Sequence, residues 1–425
     1  MGACISAGSM KHLKIVMAVF RRFSFIFGDY VSALQLGSKQ YSSQMLTKKI
    51  YYAPFEFESY GEEEIKAVEQ SLRDGWLGGQ GPRSREFEEK VAVTFGKQHG
   101  VFVNSGSSAC LLAIAALDLP AGSKIITAAC TFSTTLAPII QLGYEPVFVD
   151  VGLSSYVAQV EDVMKVMSPE VKAVMLPNLI GNKPNWTLLR KELIRLGRPD
   201  VLLIEDSADT ITKTSETDVS TTSFYASHVI TAGGVGGMVM FNDQRHVKRC
   251  LQYRDWGRLG DDSENMDERY AHEVDGIPYD HKFLYNVLGY HMKCSEMNAA
   301  FGLVQLKRFE KFAKIRRANF ERYLRNLNDV SELVLPDDSL KPHWLALPLQ
   351  TSRRFDLLHF LEANNIQTRV TFAGNVTRHP VYREYKQDFL QSDTIMRNGF
   401  LLGAHHGMTT EDVDFVCDKI IQFFK

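Results

Sequence analysis

An α/β body built on a mostly parallel sheet, followed by a smaller α+β domain, is the fold this 425-residue sequence predicts. Three observations lead there. Short apolar runs alternate with segments of helical period, the runs are almost continuously Val, Ile, Leu and Met, and the pattern changes after a long helical stretch ending near residue 328. Strands joined by single helical crossovers pair in parallel and are covered on both faces, so they lack the alternation of a half-exposed strand.

The first 49 residues set seven basic side chains (Lys11, Lys14, Arg21, Arg22, Lys39, Lys48 and Lys49) against one acid, Asp29, and read as an extension ahead of the domain. Arg21 and Arg22 break their apolar run, which falls short of the roughly 18 residues a spanning helix needs. The opening MGACIS matches a myristoylation pattern with Cys4 as a second acylation site, and basic leaders also serve as targeting signals. The plainer expectation is a dispensable or mis-started extension.

Regular structure begins near residue 61. Ile65, Val68 and Leu72 follow an acidic first turn at helical spacing, and Phe87, Val91 and Phe95 repeat the pattern. Strands are expected at 100–104, 124–128, 146–151, 171–177, 201–206 and 238–241, with helices opening at Ser107, Ser133, near Val160 and at Trp186. The polar, aperiodic stretch 257–280 is expected to be a long loop. A helical pattern over 295–328 leads out of the large domain, placed at 50–328. The smaller one, at 329–425, is expected to hold strands at 345–349 and 368–371 and helices at 355–364 and 410–424.

Composition narrows the function. Lys and Arg total 48 against 50 Asp and Glu, a net charge of -2, which leaves no field to gather nucleic acid. Hydrophobic residues at 45% and charged residues at 23% exclude a disordered chain and a membrane bundle. Six scattered cysteines without a CxxC pair indicate neither a disulfide framework nor a paired-thiolate metal site, and a cytoplasmic chain is expected.

Three segments carry candidate chemistry. Asn104-Ser105-Gly106-Ser107-Ser108 lies where a strand gives way to a helix, a geometry that suits a phosphate but equally an ordinary N-cap. Glu205-Asp206-Ser207-Ala208-Asp209 closes an apolar strand with acids at the edge where ligands bind in open parallel sheets, and caps are again the bland alternative. Ser223-Phe224-Tyr225-Ala226-Ser227-His228 precedes a glycine-rich run at 233–237.

Together these segments resemble the pyridoxal-phosphate site of the DegT/DnrJ/StrS sugar aminotransferases. The resemblance runs from about Tyr51 onward. It includes Gly75-Trp76-Leu77, Gly81-Pro82, Ser105-Gly106-Ser107, Thr131-Phe132, Glu205-Asp206, Gly289-Tyr290, Ala299-Ala300-Phe301-Gly302-Leu303 and Gln305-Leu306. It implies the fold-type I architecture, a large three-layer α/β/α domain with a small α+β domain, and a homodimer with its site between subunits. Carried over, Gly106, Ser107 and Ser223 hold the phosphate and Phe132 stacks on the ring. Asp206 pairs with the pyridine nitrogen, and Asp209 matches the position that usually bonds the ring hydroxyl.

His228 stands where aminotransferases of the family have the Schiff-base lysine, a change characteristic of the nucleotide-sugar 3-dehydratase branch. Similar to that branch are Arg254-Asp255-Trp256-Gly257-Arg258, Tyr279-Asp280-His281-Lys282 and Gly181-Asn182-Lys183-Pro184. The stretch Phe372-Ala373-Gly374-Asn375 with Arg378 also matches, and Asn375, Arg378 and His405 are the expected substrate contacts. The branch implies pyridoxamine phosphate acting on a nucleotide-linked 4-keto-6-deoxyhexose in polysaccharide biosynthesis, with His228 as acid and base. The region after Trp256 lacks cysteines, so regeneration of the cofactor by glutamate is expected in place of an iron–sulfur cluster. Val235 before Gly236-Gly237, one extra residue in that loop, and His291 at a usual asparagine depart from the family. An aminotransferase and a catalytically silent relative with a binding role are the alternatives.

Overall fold

The computed structural model describes residues 48–54, 59–260 and 263–425, and residues 49–425 form one compact unit. The extension and its acylation motif lie outside the described residues, apart from Lys48 and Lys49. Seven strands build the main sheet: β1 (His99–Val103), β2 (Lys124–Ala128), β3 (Glu145–Val149), β4 (Val171–Pro177), β5 (Leu202–Asp206), β6 (Val219–Ser223) and β7 (Gly237–Phe241). Their order is β1-β7-β6-β5-β4-β2-β3, and β7 runs antiparallel to both neighbours while every other pair is parallel.

Alternation along the strands separates the layers. Phe102, Met238 and Met240 point into one cluster with Phe87, Val91 and Phe95 of the helix Pro82–Phe95. Val101, Val103, Val239 and Phe241 point the other way, onto Leu112 of the helix Gly106–Ala115 and Cys250 of the helix Gln244–Arg254. Both faces are therefore covered, as a parallel sheet requires.

Several elements differ from the sequence reading. The run at 238–241 is the antiparallel β7, reached from β6 without a helical crossover. β6 itself, VSTTS, is wholly buried yet rich in hydroxyls, which is why apolar patterning missed it. Its polar atoms are satisfied inside the sheet: Thr222 Oγ1 donates to the Ser207 carbonyl at 2.9 Å. The expected loop 257–280 instead holds a short helix, Met266–Arg269, and a hairpin of β8 (His272–Val274) and β9 (Ile277–Tyr279). Its turn is Asp275-Gly276, both at positive φ (53° and 78°), the dipeptide that two-residue hairpins favour.

A 32-residue helix, Glu296–Leu327, crosses the body and leads to an antiparallel sheet of β10 (Leu347–Gln350), β11 (Thr368–Val370) and β12 (Gly399–Leu402), with β12 central. One hydrophobic cluster runs from Val174 and Leu203 of the main sheet through Phe320 and Tyr323 of this helix to Leu347, Phe400 and Ile420. Among the described residues no helix is long and apolar enough to cross a membrane.

Glu296 opens the long helix and is 1% exposed. Its carboxylate accepts from the backbone N–H groups of Gly81 (3.0 Å), Arg83 (2.9 Å) and Ser84 (3.0 Å), at the start of the helix Pro82–Phe95. An anion there satisfies donors that have no acceptor within their own helix. Glu296→Ala is expected to destabilise the protein by about 3 kcal/mol, because it orphans buried donors, and a urea melt measures it.

Candidate active site

The carboxyl ends of β1, β4, β5 and β6 open into a cavity of about 400 Å³, a size usual for small-molecule sites. It is lined by Ser105, Gly106, Ser107, Phe132, Asp206, Asp209, Ser223 and His228, so the structure brings together all seven residues assigned to catalysis and cofactor binding.

The turn after β1 is shaped by close backbone packing. Ser105 caps the helix Gly106–Ala115, its hydroxyl accepting from Ser108 N at 3.1 Å. Gly236 N donates to the Asn104 carbonyl at 3.1 Å, and Phe224 N to the Gly236 carbonyl at 2.9 Å, locking the turn to the glycine-rich loop. A Cβ on Gly106 would lie 2.6 Å from Ser223 Cβ, and one on Gly237 would lie 2.3 Å from the Ser105 carbonyl oxygen. With no side chain at Gly106, the Ser223 hydroxyl sits against the start of a helix whose first-turn N–H groups have no intrahelical acceptor.

Asp206 ends β5. Thr135 Oγ1 donates to its Oδ2 at 2.7 Å, and Ala208 N donates to Oδ1 at 3.2 Å. These donors are neutral, and burial pushes the Asp206 carboxyl above the ordinary range. Asp209 Oδ2 accepts from Ile180 N at 2.8 Å, and burial pushes its carboxyl up to about 7.

His228 hangs from a loop tied to the long helix. Its backbone N–H donates to Tyr225 O at 3.0 Å, while Asn298 Nδ2 on the helix donates to Ala232 O at 2.6 Å and Gln305 Oε1 accepts from Thr231 N at 3.3 Å. The imidazole Nε2 lies 3.9 Å from Asp209 Oδ1, and Nδ1 is buried without a hydrogen-bond partner. Burial lowers the imidazole to about 4.

Phe132, 53% exposed, forms a side of the cavity, with the Phe372 ring edge-on at 6.1 Å. Phe372 and Tyr225, which stand in the motifs but carried no assigned role, line the site, as does Thr135, which was not anticipated. Thr135 could have been found from its place one turn inside the helix after Thr131-Phe132. Phe372 has φ of 41°, a conformation no propensity foreshadows in an aromatic residue.

The three expected substrate contacts do not line the cavity, because their polar groups are engaged elsewhere. Arg378 pairs with Asp393 and with Asp388, at 2.7 Å each through Nη2. Asn375 is fully buried and donates to Asp393 Oδ1 at 2.9 Å and Gln387 O at 3.0 Å. His405 Nε2 meets the Tyr51 carbonyl at 3.1 Å, and its Nδ1 accepts from Gly407 N at 3.2 Å. Of the departures, Val235 is exposed, and His291 stacks on Trp256 at 4.5 Å.

A family model for the DegT/DnrJ/EryC1/StrS aminotransferases matches residues 58–421. The chain belongs to this family. The lipopolysaccharide biosynthesis protein RfbH of Salmonella typhimurium is 34% identical over 424 residues, covering 91% of this chain and 96% of that protein. The dTDP-4-dehydro-2,6-dideoxy-D-glucose 3-dehydratase of Saccharopolyspora spinosa is 32% identical, covering 81% and 80%. The E. coli GDP-4-keto-6-deoxy-D-mannose-3-dehydratase, solved with bound hydrated PLP, superposes with a TM-score of 0.77 at 25% identity, over 88% of this chain and all of that one (100%).

Family membership brings with it fold-type I architecture and dependence on pyridoxal or pyridoxamine phosphate. The cavity fits that cofactor. The Cβ-free cradle at Gly106 suits a phosphate, and the buried Asp206 carboxyl, held by neutral donors alone, suits a protonated pyridine nitrogen. Gly106→Val is expected to weaken pyridoxal phosphate binding at least about tenfold, followed by absorbance titration, since its Cβ would meet Ser223. The native Asp209 carboxyl binds its proton more tightly than the ordinary 3.8 of an unfolded chain, so its contribution to stability is lost as pH rises from there through about 7. Asp209→Asn is therefore expected to raise the melting temperature of cofactor-free protein at pH 8 and to leave it nearly unchanged at pH 4.

Proposed function

We propose that the chain removes the C3 hydroxyl of a nucleotide-linked 4-keto-6-deoxyhexose, as in 3,6-dideoxysugar biosynthesis, with glutamate restoring the amine form of the cofactor. One observation carries this reading: an imidazole, His228, stands in the cofactor cavity where aminotransferases of the family bear their lysine. The 3-dehydratase names of the relatives from Saccharopolyspora spinosa and E. coli support it.

When bound, pyridoxamine phosphate supplies an amine that joins the sugar at its keto carbon and a ring that accepts electrons from its methylene. The protein's part is to place groups and move one proton. Gly106, Ser107 and Ser223 bind the phosphate, Phe132 covers the ring and excludes water, and Asp206 keeps the pyridine nitrogen protonated. His228, lowered to about 4, is neutral at physiological pH and so enters the reaction as a base. Nδ1 is sealed from the cavity, so Nε2, 3.9 Å from Asp209 Oδ1, is the nitrogen that takes the methylene proton. The same imidazole then delivers that proton to the departing C3 hydroxyl, which leaves as water, and returns to its neutral form.

Among the described residues lining the cavity there is no lysine or arginine. That supports a homodimeric reading in which a second copy supplies cations for the nucleotide and phosphate.

Incubation with pyridoxamine phosphate, glutamate and 4-keto-6-deoxy sugars of GDP, CDP, UDP and dTDP is expected to yield one product lighter by an oxygen. Unchanged sugar throughout refutes the reading, and a product that gains nitrogen selects the aminotransferase. His228→Asn is expected to slow dehydration by about 10²–10⁴ while cofactor affinity holds within about threefold. His228→Lys is expected to attach pyridoxal phosphate covalently, seen by mass after borohydride reduction, and to lose dehydration.

A further inference from the structure

The Gly181-Asn182-Lys183-Pro184 motif is not part of the cavity lining, yet the turn that leads into it reaches the reacting groups through a backbone hydrogen bond. At Ile180 the backbone is left-handed, with φ of 57° and ψ of 9°. A β-branched residue rarely adopts that conformation, which persists only where the surroundings over-determine it. Here they do so from both sides. Asn178, fully buried, ties the turn to β5: its N–H donates to the Asp206 carbonyl at 2.8 Å and its Nδ2 to Glu205 Oε2 at 2.8 Å, while Trp186 Nε1 donates to its Oδ1 at 3.1 Å. On the other side the Ile180 carbonyl accepts from Leu345 N at 2.7 Å, and a Cβ on Gly181 would lie 2.2 Å from the His343 carbonyl oxygen. The Ile180 side chain is buried in the hydrophobic cluster that joins the two sheets.

The conformation sets the aim of one N–H group. Ile180 N donates to Asp209 Oδ2 at 2.8 Å, and the other oxygen, Oδ1, lies 3.9 Å from His228 Nε2. A carboxyl engaged in this way cannot turn about its Cβ–Cγ bond without giving up that hydrogen bond in a buried site. Once Nε2 has taken a proton, the imidazolium needs a negative partner in the low-dielectric cavity, and Oδ1 is a carboxylate oxygen already at ion-pair distance. Among the described residues the titratable groups that face Asp209 are His228, Asp206 at the end of β5, and Tyr52 from the N-terminal segment. Burial raises the Asp209 carboxyl to about 7, and the Ile180 N–H, which favours the charged form, pulls against that rise.

We propose that Ile180 is a positioning residue for the reaction: its left-handed N–H pins Asp209 Oδ2, so that Oδ1 is presented to His228 Nε2 and steadies the proton taken there until it is passed on. The proposal rests on His228 being the acid and base.

The test uses the full-length chain carrying pyridoxamine phosphate. Replacing Ile180 by its α-hydroxy acid turns the amide into an ester, which deletes the N–H and keeps the side chain. The ester is expected to raise the Asp209 midpoint by about one pH unit, because a donor to the charged form is lost. The midpoint is read by NMR of aspartates labelled at Cγ and assigned by comparison with Asp209→Asn. Ile180→Gly keeps the N–H and suits a left-handed backbone, and it is expected to leave the midpoint near the wild-type value. In dehydration assays the ester is expected to lower kcat about tenfold with KM within about twofold, and to move the pH profile of kcat upward with the Asp209 midpoint. A bond that served the fold alone would leave that profile in place. Should the ester not fold, wild-type chain labelled at isoleucine serves instead: the Ile180 amide proton, assigned by its absence from Ile180→Gly, is expected to titrate with the midpoint of the Asp209 carboxyl carbon. An unmoved midpoint in the ester, equal shifts in the ester and Ile180→Gly, an unmoved kcat profile, or an Ile180 amide that does not titrate overturns the proposal. Absence of dehydration in the wild-type chain sinks the reading beneath it, whereas dehydration lost in His228→Asn with an unmoved midpoint in the ester sinks this inference alone.

Discussion

The site depends on how closely two pieces of backbone approach each other. Between Gly106 and Ser223, and between Gly237 and the Ser105 carbonyl, there is no room for a β-carbon, so β1, β6 and β7 can bring their ends together only with glycine at those points. That contact fixes the start of the helix Gly106–Ala115 and the place of the Ser223 hydroxyl. Through the Phe224–Gly236 hydrogen bond it also fixes the root of the loop that carries His228. The anion cradle and the acid-base group are thus parts of one packed unit.

Around that unit the electrostatics are set by burial. Asp206 and Asp209 are pushed up and His228 down, each toward its neutral form, because the low-dielectric pocket penalises charge of either sign. Groups in that condition respond strongly to any ion that enters. A cationic ring nitrogen beside Asp206 would restore the charge of that carboxyl, and a phosphate at Gly106 would meet the first-turn N–H groups of the helix. The cavity is prepared for a ligand that carries both signs at opposite ends.

Much of this was legible before any coordinates. The strands at 124–128 and 171–177, the helix at 410–424 and the long helix near 296–327 carry enough apolar periodicity to be bounded within a residue or two. The residues that meet in the cavity were picked out by the family resemblance, since their local signals, strand ends, turn glycines and acids, equally suit ordinary helix caps. What escaped was of two kinds. β6 hides because its buried hydroxyls are satisfied by neighbours distant in sequence, and the β8–β9 hairpin because its strands are short and exposed, leaving Asp275-Gly276 as the single cue. Arg378, Asn375 and His405 lie outside the cavity lining: polar residues that stitch loops together look, in one dimension, like residues that await a ligand. Asp388 and Asp393, which claim Arg378, reveal their role only in three dimensions.

The single hydrophobic cluster that joins the two sheets has a mechanical consequence. Phe320 and Tyr323 are shared property of both layers, so the three-stranded sheet cannot swing as a free flap without tearing apolar surface into water. The bulk of the chain is thus a stiff frame, and the side chains left to adapt to a ligand are those on loops of the lining, Tyr225 and Phe372.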